Sequence, residues 1–237
     1  MKSSGVGATR GINDVDIMEL EISKILYEAP HAVLLNLGTG QQGKSVLAHN
    51  QASLYWPSRD VILLNMPDEA FYNLNWPSHY RSLRMPKKLK ELQTKKLIKP
   101  SRDLLIIDDA IFSTPARRSL SSENVNLQQF LTIISHWELP IIYTVQNTSL
   151  LDISAWQSQN QFFFHKKMDP SALNQERAEY RQRQVLANMV IDFFKKYGTD
   201  RPEKSYSYCS TTGEILTLNP PTWWSSEHSK PLKGVIP

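Results

Sequence analysis

Cysteine is almost absent from this chain of 237 residues. Cys209 is the only one, which excludes an intrachain disulfide and a metal site built on several thiolates. The six histidines are scattered without metal-ligand spacing. No apolar run is long enough to cross a bilayer, so no transmembrane segment is expected. The first residues lack the apolar stretch of a secretion signal. We therefore expect a cytoplasmic protein of a reducing compartment.

Charge of one sign does not dominate the chain, although basic residues exceed acidic ones by 27 to 23. The net charge of +4 mildly favours a polyanionic partner. A hydrophobic fraction of 41% is sufficient for a core, and the length fits one domain with appendages. We predict a flexible tail over residues 1–12, a main domain over 13–200, and a hairpin with a tryptophan-rich tail over 201–237.

One segment has the complete spacing of a phosphate-binding loop, G-x-x-x-x-G-K-S. Its residues are Gly38, Thr39, Gly40, Gln41, Gln42, Gly43, Lys44 and Ser45. The apolar run 31–37 before it predicts a buried strand, and residues 46–52 after it predict a helix. In that setting Lys44 would reach the β- and γ-phosphates of a nucleoside triphosphate, and the Ser45 hydroxyl would ligate Mg²⁺. The alternative is a glycine turn that binds nothing.

Two further apolar strands end in polar side chains. The strand 104–107 is followed by Asp108 and Asp109, the form of a Walker B element. Asp108 is predicted to hold Mg²⁺ and Asp109 to polarise the attacking water; a strand-end helix cap is the alternative. The strand 140–145 ends in Gln146, predicted to face the γ-phosphate, with Asn147 as its neighbouring candidate. A polar residue that merely ends a strand is the alternative there.

Apolar strands alternate with helices through most of the chain. Strands are predicted at 31–37, 61–65, 104–107, 140–145 and 161–165, helices at 17–27, 46–52, 123–136 and 171–197, and a hairpin joins 206–209 to 215–218. This alternation predicts an α/β fold with a parallel sheet covered on both faces. The pair Trp223-Trp224 after two prolines either staples the tail onto the domain or docks a neighbouring subunit or capsid component.

A basic segment lies between Arg84 and Arg102. Its candidate DNA-contacting residues are Lys87, Lys88, Lys90, Lys95, Lys96 and Lys99. Leu89 and Leu92 share a helical face, so the segment predicts an amphipathic helix with a basic side. Such a stripe suits contact with the phosphate backbone of double-stranded DNA without reading of bases. A solvated face that only keeps the protein soluble is the alternative.

The phosphate loop, Leu104–Asp109 and the strand end Thr144-Val145-Gln146 together resemble the FtsK/HerA superfamily of DNA-pumping ATPases. Within it, they resemble the genome-packaging ATPases of tailless and archaeal viruses and zonula occludens toxin-like relatives. The resemblance, over roughly residues 30–200, implies a P-loop NTPase fold of the ASCE or RecA-like class. That fold is a three-layer sandwich with a mainly parallel central sheet, here with a small C-terminal extension. Asp109 departs from the usual glutamate.

The resemblance also implies a function and partners. It implies an ATPase that uses ATP and Mg²⁺, acts on double-stranded DNA and forms a homo-oligomeric ring, a pentamer or hexamer. Arg117 or Arg118 would complete a neighbour's active site in trans, unless these are solvated loop arginines. A viral packaging motor, in the host cytoplasm or on the virion, would also meet a capsid or membrane component. Alternatives are a nucleotide or small-molecule kinase, a DNA-transfer or secretion ATPase of a mobile element, and a nucleotide-gated scaffold.

Overall fold

The structure is a computed structural model. It describes residues 32–64, 66, 68–84, 91–92, 95–108, 137, 139–146, 161–167, 181–197 and 206–229. Several predictions concern parts of the chain outside the described residues. These are the tail 1–12, the helices 17–27 and 123–136, and residues 171–180 of the long C-terminal helix.

The strands of the described part of the chain form one eight-stranded sheet. They are β1 Val33–Leu37, β2 Asp60–Leu64, β3 Tyr80–Leu83, β4 Asp103–Ile107, β5 Ile141–Val145, β6 Gln161–His165, β7 Tyr206–Cys209 and β8 Glu214–Thr217. Their order across the sheet is β3-β2-β4-β5-β1-β6-β7-β8. Pairing is parallel from β3 to β6, and β7 and β8 are added antiparallel. The predicted α/β fold with a mainly parallel sheet is confirmed.

Helices cover both faces of this sheet. The helices are α1 Lys44–Tyr55, α2 Asp68–Tyr72 and α3 Arg181–Tyr197, with a 3₁₀ helix at Ser226–Ser229. Successive residues of β1 point to opposite faces: Leu34 packs with Leu47 of α1, whereas Leu35 belongs to the core of the other face. On that other face α3 packs Val190 against Tyr206. Among the described residues, no helix is both long and apolar enough to cross a membrane.

One edge of the sheet differs from the prediction, because β3 and α2 were not expected. The strand Tyr80–Leu83 has two polar residues among its four and, within the described residues, pairs with β2 alone. A short polar edge strand carries a weak sequence signal, because burial on both faces is what produces a continuous apolar run. Its Arg81 is held by the buried Asp103 carboxylate at 2.8 Å.

The C-terminal segment continues the central sheet. The predicted hairpin is confirmed, with Tyr206 opposite Thr217, and β7 pairs with β6 through Phe164 and Cys209. The domain boundary at residue 201 stays a prediction.

The paired tryptophans pack on their own domain. The ring of Trp224 lies 4.8 Å from that of His49 in α1, and Trp223 lies 5.6 Å from Trp76. The Asn219 amide donates to the Asn50 side chain at 3.2 Å. These contacts agree with the interpretation that the tryptophans staple the tail onto its own domain.

Candidate functional site

The phosphate loop connects β1 to α1 with an unusual backbone. Gly38 has φ 150°, Gly43 has φ 84°, and Gln41 has φ 62°. Gly43 is the N-cap residue of α1, and no described side chain caps that end of the helix. The first amides of the helix therefore point into the loop, the arrangement that favours an anion at a helix N-terminus.

The loop rests on the two residues that follow β6. The Lys166 amide donates to the Leu37 carbonyl at 2.7 Å. The Lys167 carbonyl accepts from the Thr39 amide at 3.3 Å and from its hydroxyl at 3.2 Å. A Cβ placed on Gly38 would lie 2.8 Å from the Lys166 Cβ. Only glycine therefore fits at the start of the loop.

Ser45 and Asp108 meet although 63 positions separate them in sequence. The Ser45 hydroxyl donates to Asp108 Oδ1 at 3.1 Å, and the same oxygen accepts from the Thr144 hydroxyl. Lys44 is 7% exposed, and its Nζ donates to the Thr39 carbonyl at 2.9 Å. The loop lysine, the loop serine and the strand-end aspartate thus occupy one place.

Sheet topology explains this convergence. In parallel pairing β5 lies between β1 and β4, so the carboxyl ends of all three strands reach the same edge. Ile107 pairs with Tyr143, which places the following residues, Asp108 and Thr144, side by side. Ligands of open α/β sheets bind outside such carboxyl ends.

The oxygen atoms gathered here fit Mg²⁺. A hydroxyl and a carboxylate are hard donors, and Mg²⁺ is usually held by one or two such protein groups together with water and substrate phosphates. Ser45 and Asp108 would be the residues that hold it.

Gln146 lies at the same edge of the sheet. β5 lies between β1, which precedes the phosphate loop, and β4, which precedes Asp108, and Leu37 pairs with Val145. Gln146, directly after β5, is exposed. Its role toward a γ-phosphate stays a prediction. Asp109, Arg117, Arg118 and Asn147 lie outside the described residues.

The candidate DNA-contacting lysines divide into two groups. Lys87, Lys88 and Lys90 lie outside the described residues, whereas Lys95, Lys96 and Lys99 are exposed. Lys95 forms an ion pair with Glu91 at 2.6 Å.

The three described lysines lie before β4, whereas Asp108 follows it. β4 has five residues, so the end of the sheet where it begins lies roughly 17 Å from the end that carries the candidate nucleotide site. The lysines lie near the end where β4 begins. Lys96 has φ 50°, and the Leu97 amide donates to the Leu92 carbonyl at 2.9 Å. This is the Schellman pattern that ends a helix, so the predicted amphipathic helix stops before Lys99.

Sequence reasoning missed three polar residues that support the site. Thr144 was noted only as part of a strand end, yet its hydroxyl contacts Asp108. Asn36 in β1 and Gln51 in α1 are fully buried and exchange two amide hydrogen bonds, of 2.8 and 3.0 Å. This pair fixes the helix that follows the phosphate loop to the strand that precedes it. An asparagine within the apolar run VLLNL was the available signal.

Two buried histidines flank these elements. His165 pairs with Leu37 beside the loop, and its Nε2 lies 2.8 Å from the Ser210 hydroxyl. Burial lowers its pKa to about 3. Burial, and secondly the neighbouring His228, lowers the pKa of His49 to about 3. Both imidazoles are therefore neutral at pH 7.

No family model and no curated protein matches this sequence. Among solved structures, the DNA-packaging ATPase B204 of Sulfolobus turreted icosahedral virus matches with a TM-score of 0.52 and 15% identity, over 81% of this chain and 99% of that one. The genome-packaging NTPase B204 of Sulfolobus turreted icosahedral virus 2, in complex with ATP-gammaS, matches at 0.49 and 14%, over 81% and 98%. The N-terminal domain of zonular occludens toxin from Neisseria meningitidis matches at 0.38 and 19%, over 57% and 76%.

At these identities the likeness concerns the fold. The predicted resemblance to packaging ATPases is thereby confirmed at the level of architecture, and the first of these structures carries that comparison. The matching structure with the TM-score of 0.52 is that of an ATPase, and the chain has the α/β fold of the P-loop NTPases.

Proposed function

We propose that this chain hydrolyses ATP to move double-stranded DNA, as a subunit of a viral genome-packaging motor. One observation supports the ATP-hydrolysing part of the proposal: Ser45 Oγ lies 3.1 Å from Asp108 Oδ1, with the buried Lys44 at the same end of the loop. That is the arrangement that a magnesium–nucleotide complex requires of a phosphate loop and a Walker B strand.

Each residue has a distinct task in this proposal. The amides at the start of α1 and Lys44 bind the phosphates. Ser45 and Asp108 hold Mg²⁺, which when bound neutralises charge on the β- and γ-phosphates. Thr144 orients Asp108 through its hydroxyl. Asp109 acts as the base toward water, and Gln146 contacts the γ-phosphate.

The second part of the proposal concerns the two arginines and the oligomer. A ring places each nucleotide site at a subunit interface, where Arg117 or Arg118 of a neighbour stabilises the transition-state charge. Mixing Arg117→Ala subunits with Lys44→Ala subunits is expected to restore part of the ATPase activity, because one interface in the mixture is complete. The same mixture made with Arg118→Ala subunits distinguishes the two arginines. If neither mixture regains ATPase activity, neither arginine completes a neighbour's active site.

The DNA-binding part of the proposal concerns the end of the sheet where β4 begins, opposite the phosphate loop. Lys96 and Lys99 line an open cavity of about 490 Å³ together with Trp137. Nearby cations are neutralised locally, since Arg81 pairs with Asp103 and Arg102 pairs with Asp60, each at 2.8 Å. We therefore expect Lys96 and Lys99 to contribute more to phosphate contact than these two arginines.

ATP turnover with and without duplex DNA tests the function. We expect turnover that DNA accelerates, and a loss of about 100-fold or more in Lys44→Ala. Lys195→Ala, which changes an exposed lysine of α3, is the matched control and should retain activity. Phosphate transfer to an acceptor would instead indicate a kinase, and absence of turnover a scaffold.

Salt dependence tests the DNA contact. Lys96→Gln combined with Lys99→Gln is expected to weaken duplex binding and to reduce the slope of log affinity against log salt by about 2. An unchanged slope would remove these lysines from the interface. Imaging the protein with DNA and a non-hydrolysable ATP analogue tests the ring, which should contain DNA in its lumen.

A further inference from the structure

Lys166 is a fully buried lysine beside the phosphate loop, with a relative exposure of 0%. Its Nζ donates to the carbonyl of Tyr206, the first residue of β7, at 2.5 Å. Its Cβ is the atom that an alanine at position 38 would meet. A single side chain therefore reaches from the phosphate loop to the C-terminal hairpin formed by β7 and β8.

The main chain at this point contacts the loop as well. Lys166 donates its amide to Leu37, the last residue of β1, and the next carbonyl accepts both the amide and the hydroxyl of Thr39. The first two residues of the phosphate loop are thus located by the short segment that follows β6. The position of that segment determines the shape of the loop.

Burial makes the contact with Tyr206 costly to break. An amino group removed from water is stable only when it is hydrogen-bonded, and the Tyr206 carbonyl would lose a donor if the side chain were shortened. Lys166 is consequently held at both ends, at its Cβ against Gly38 and at its Nζ against β7. The hairpin itself is anchored, because Tyr206 packs against Val190 and Phe194 of α3.

We propose that Lys166 is a positioning residue for the nucleotide: it ties the phosphate loop to the C-terminal hairpin and keeps the loop in its phosphate-binding conformation. The inference rests on the proposed function, because it assumes that the loop binds a nucleotide. The contacts of Lys166 with the loop and with β7 do not depend on that assumption. It assigns the hairpin, which the sequence placed in a separate extension, a part in nucleotide binding.

Hydrogen exchange of the nucleotide-free protein, together with ATP binding, tests the tie. Lys166→Met keeps the length of the side chain and removes the donor. We expect amide exchange at Thr39 to rise about tenfold and the Kd for ATP to rise about tenfold. At saturating ATP the kcat should stay within about threefold, because the reacting groups are unchanged. Lys166→Gln, which retains an N–H donor, should recover part of both losses.

Two controls separate positioning from general destabilisation. Lys195→Met removes an exposed lysine of α3 and should leave exchange of the loop unchanged. Val190→Ala weakens the packing behind β7 and should raise exchange across the sheet without a selective rise at Thr39. If Lys166→Met shows the wild-type exchange at Thr39, or only the uniform pattern of Val190→Ala, the proposal is overturned.

The two proposals fail in different ways. If the wild-type protein does not bind ATP, the proposed function is wrong, while exchange at Thr39 still decides whether Lys166 holds the loop. If Lys166→Met does not fold, Lys166→Leu takes its place, because this side chain also lacks the donor to Tyr206. A folded Lys166→Leu protein with wild-type exchange at Thr39 would equally overturn the inference.

Discussion

Replacing Gly38 with alanine tests how the phosphate loop is built. Two features of the structure make this position unable to accept a side chain. The backbone has φ 150°, where residues with a Cβ are strained, and the new Cβ would lie 2.8 Å from the Lys166 Cβ and 3.3 Å from the Lys166 backbone. Gly40, two residues later in the same loop, is the matched control, because a Cβ there would meet nothing within 4 Å.

The size of the effect follows from these two features. A residue forced into a sparsely populated backbone region costs about 1–3 kcal/mol, and overpacking against a buried neighbour costs about 1–3 kcal/mol. Together they predict that the free energy of unfolding of Gly38→Ala falls by about 2–6 kcal/mol. For a chain of this size that corresponds to a decrease of roughly 5–20 °C in Tm. Gly40→Ala should stay within about 1 kcal/mol of the wild type.

Denaturant unfolding and thermal melting of both variants, without nucleotide, measure the difference directly. Phosphate binding plays no part in this comparison, so the result reports on backbone strain and packing. Equal stability of Gly38→Ala and Gly40→Ala would refute the reasoning, because it would mean that the loop moves away from Lys166 at no cost.

Three other predictions concern polar groups. Asn36→Leu and Gln51→Leu should each cost about 1–3 kcal/mol by leaving a buried amide unpaired, and the double variant should cost less than the two single changes combined; strict additivity in a double-mutant cycle would contradict the pair. Because the pKa of His49 and of His165 falls to about 3 on folding, the unfolded chain binds protons that the folded one does not. The free energy of unfolding should therefore decrease as the pH falls below about 6.5, and each of the two histidines should contribute about 1.4 kcal/mol per pH unit. A melting temperature that is unchanged from pH 7 to pH 5 would disprove this. Thr144→Val should raise the Mg²⁺ concentration needed for half-maximal ATPase activity about tenfold, and an unchanged Mg²⁺ dependence would exclude the positioning role.

Elements with a strong local signal were predictable. The strands around 33–37, 61–64, 104–107, 141–145 and 161–165 are confirmed, because most of their residues are apolar and buried. The G-x-x-x-x-G-K-S spacing located the loop, since phosphate binding requires those residue types at fixed intervals.

Weak or long-range features were not predictable. The edge strand β3 lacks an apolar run. The helix that carries Lys95 ends before Lys99 because Lys96 has a positive φ, and a lysine gives no sequence signal for such a conformation. The hairpin was found, but its pairing with β6 was not, because pairing of distant strands leaves little trace in either segment.

The sequence by itself identified the candidate site residues: a lysine and a serine on a glycine loop, and a carboxylate at the end of a buried strand. Local chemistry and periodicity are sufficient for that, because they depend on neighbours along the chain. Only the tertiary structure showed which side chains meet at the ends of β4 and β5: the hydroxyls of Ser45 and Thr144 both donate to Asp108. The buried Lys166 between Gly38 and β7 likewise depends on strand order. Such contacts join residues far apart in sequence, and their energies exist only once the sheet has formed.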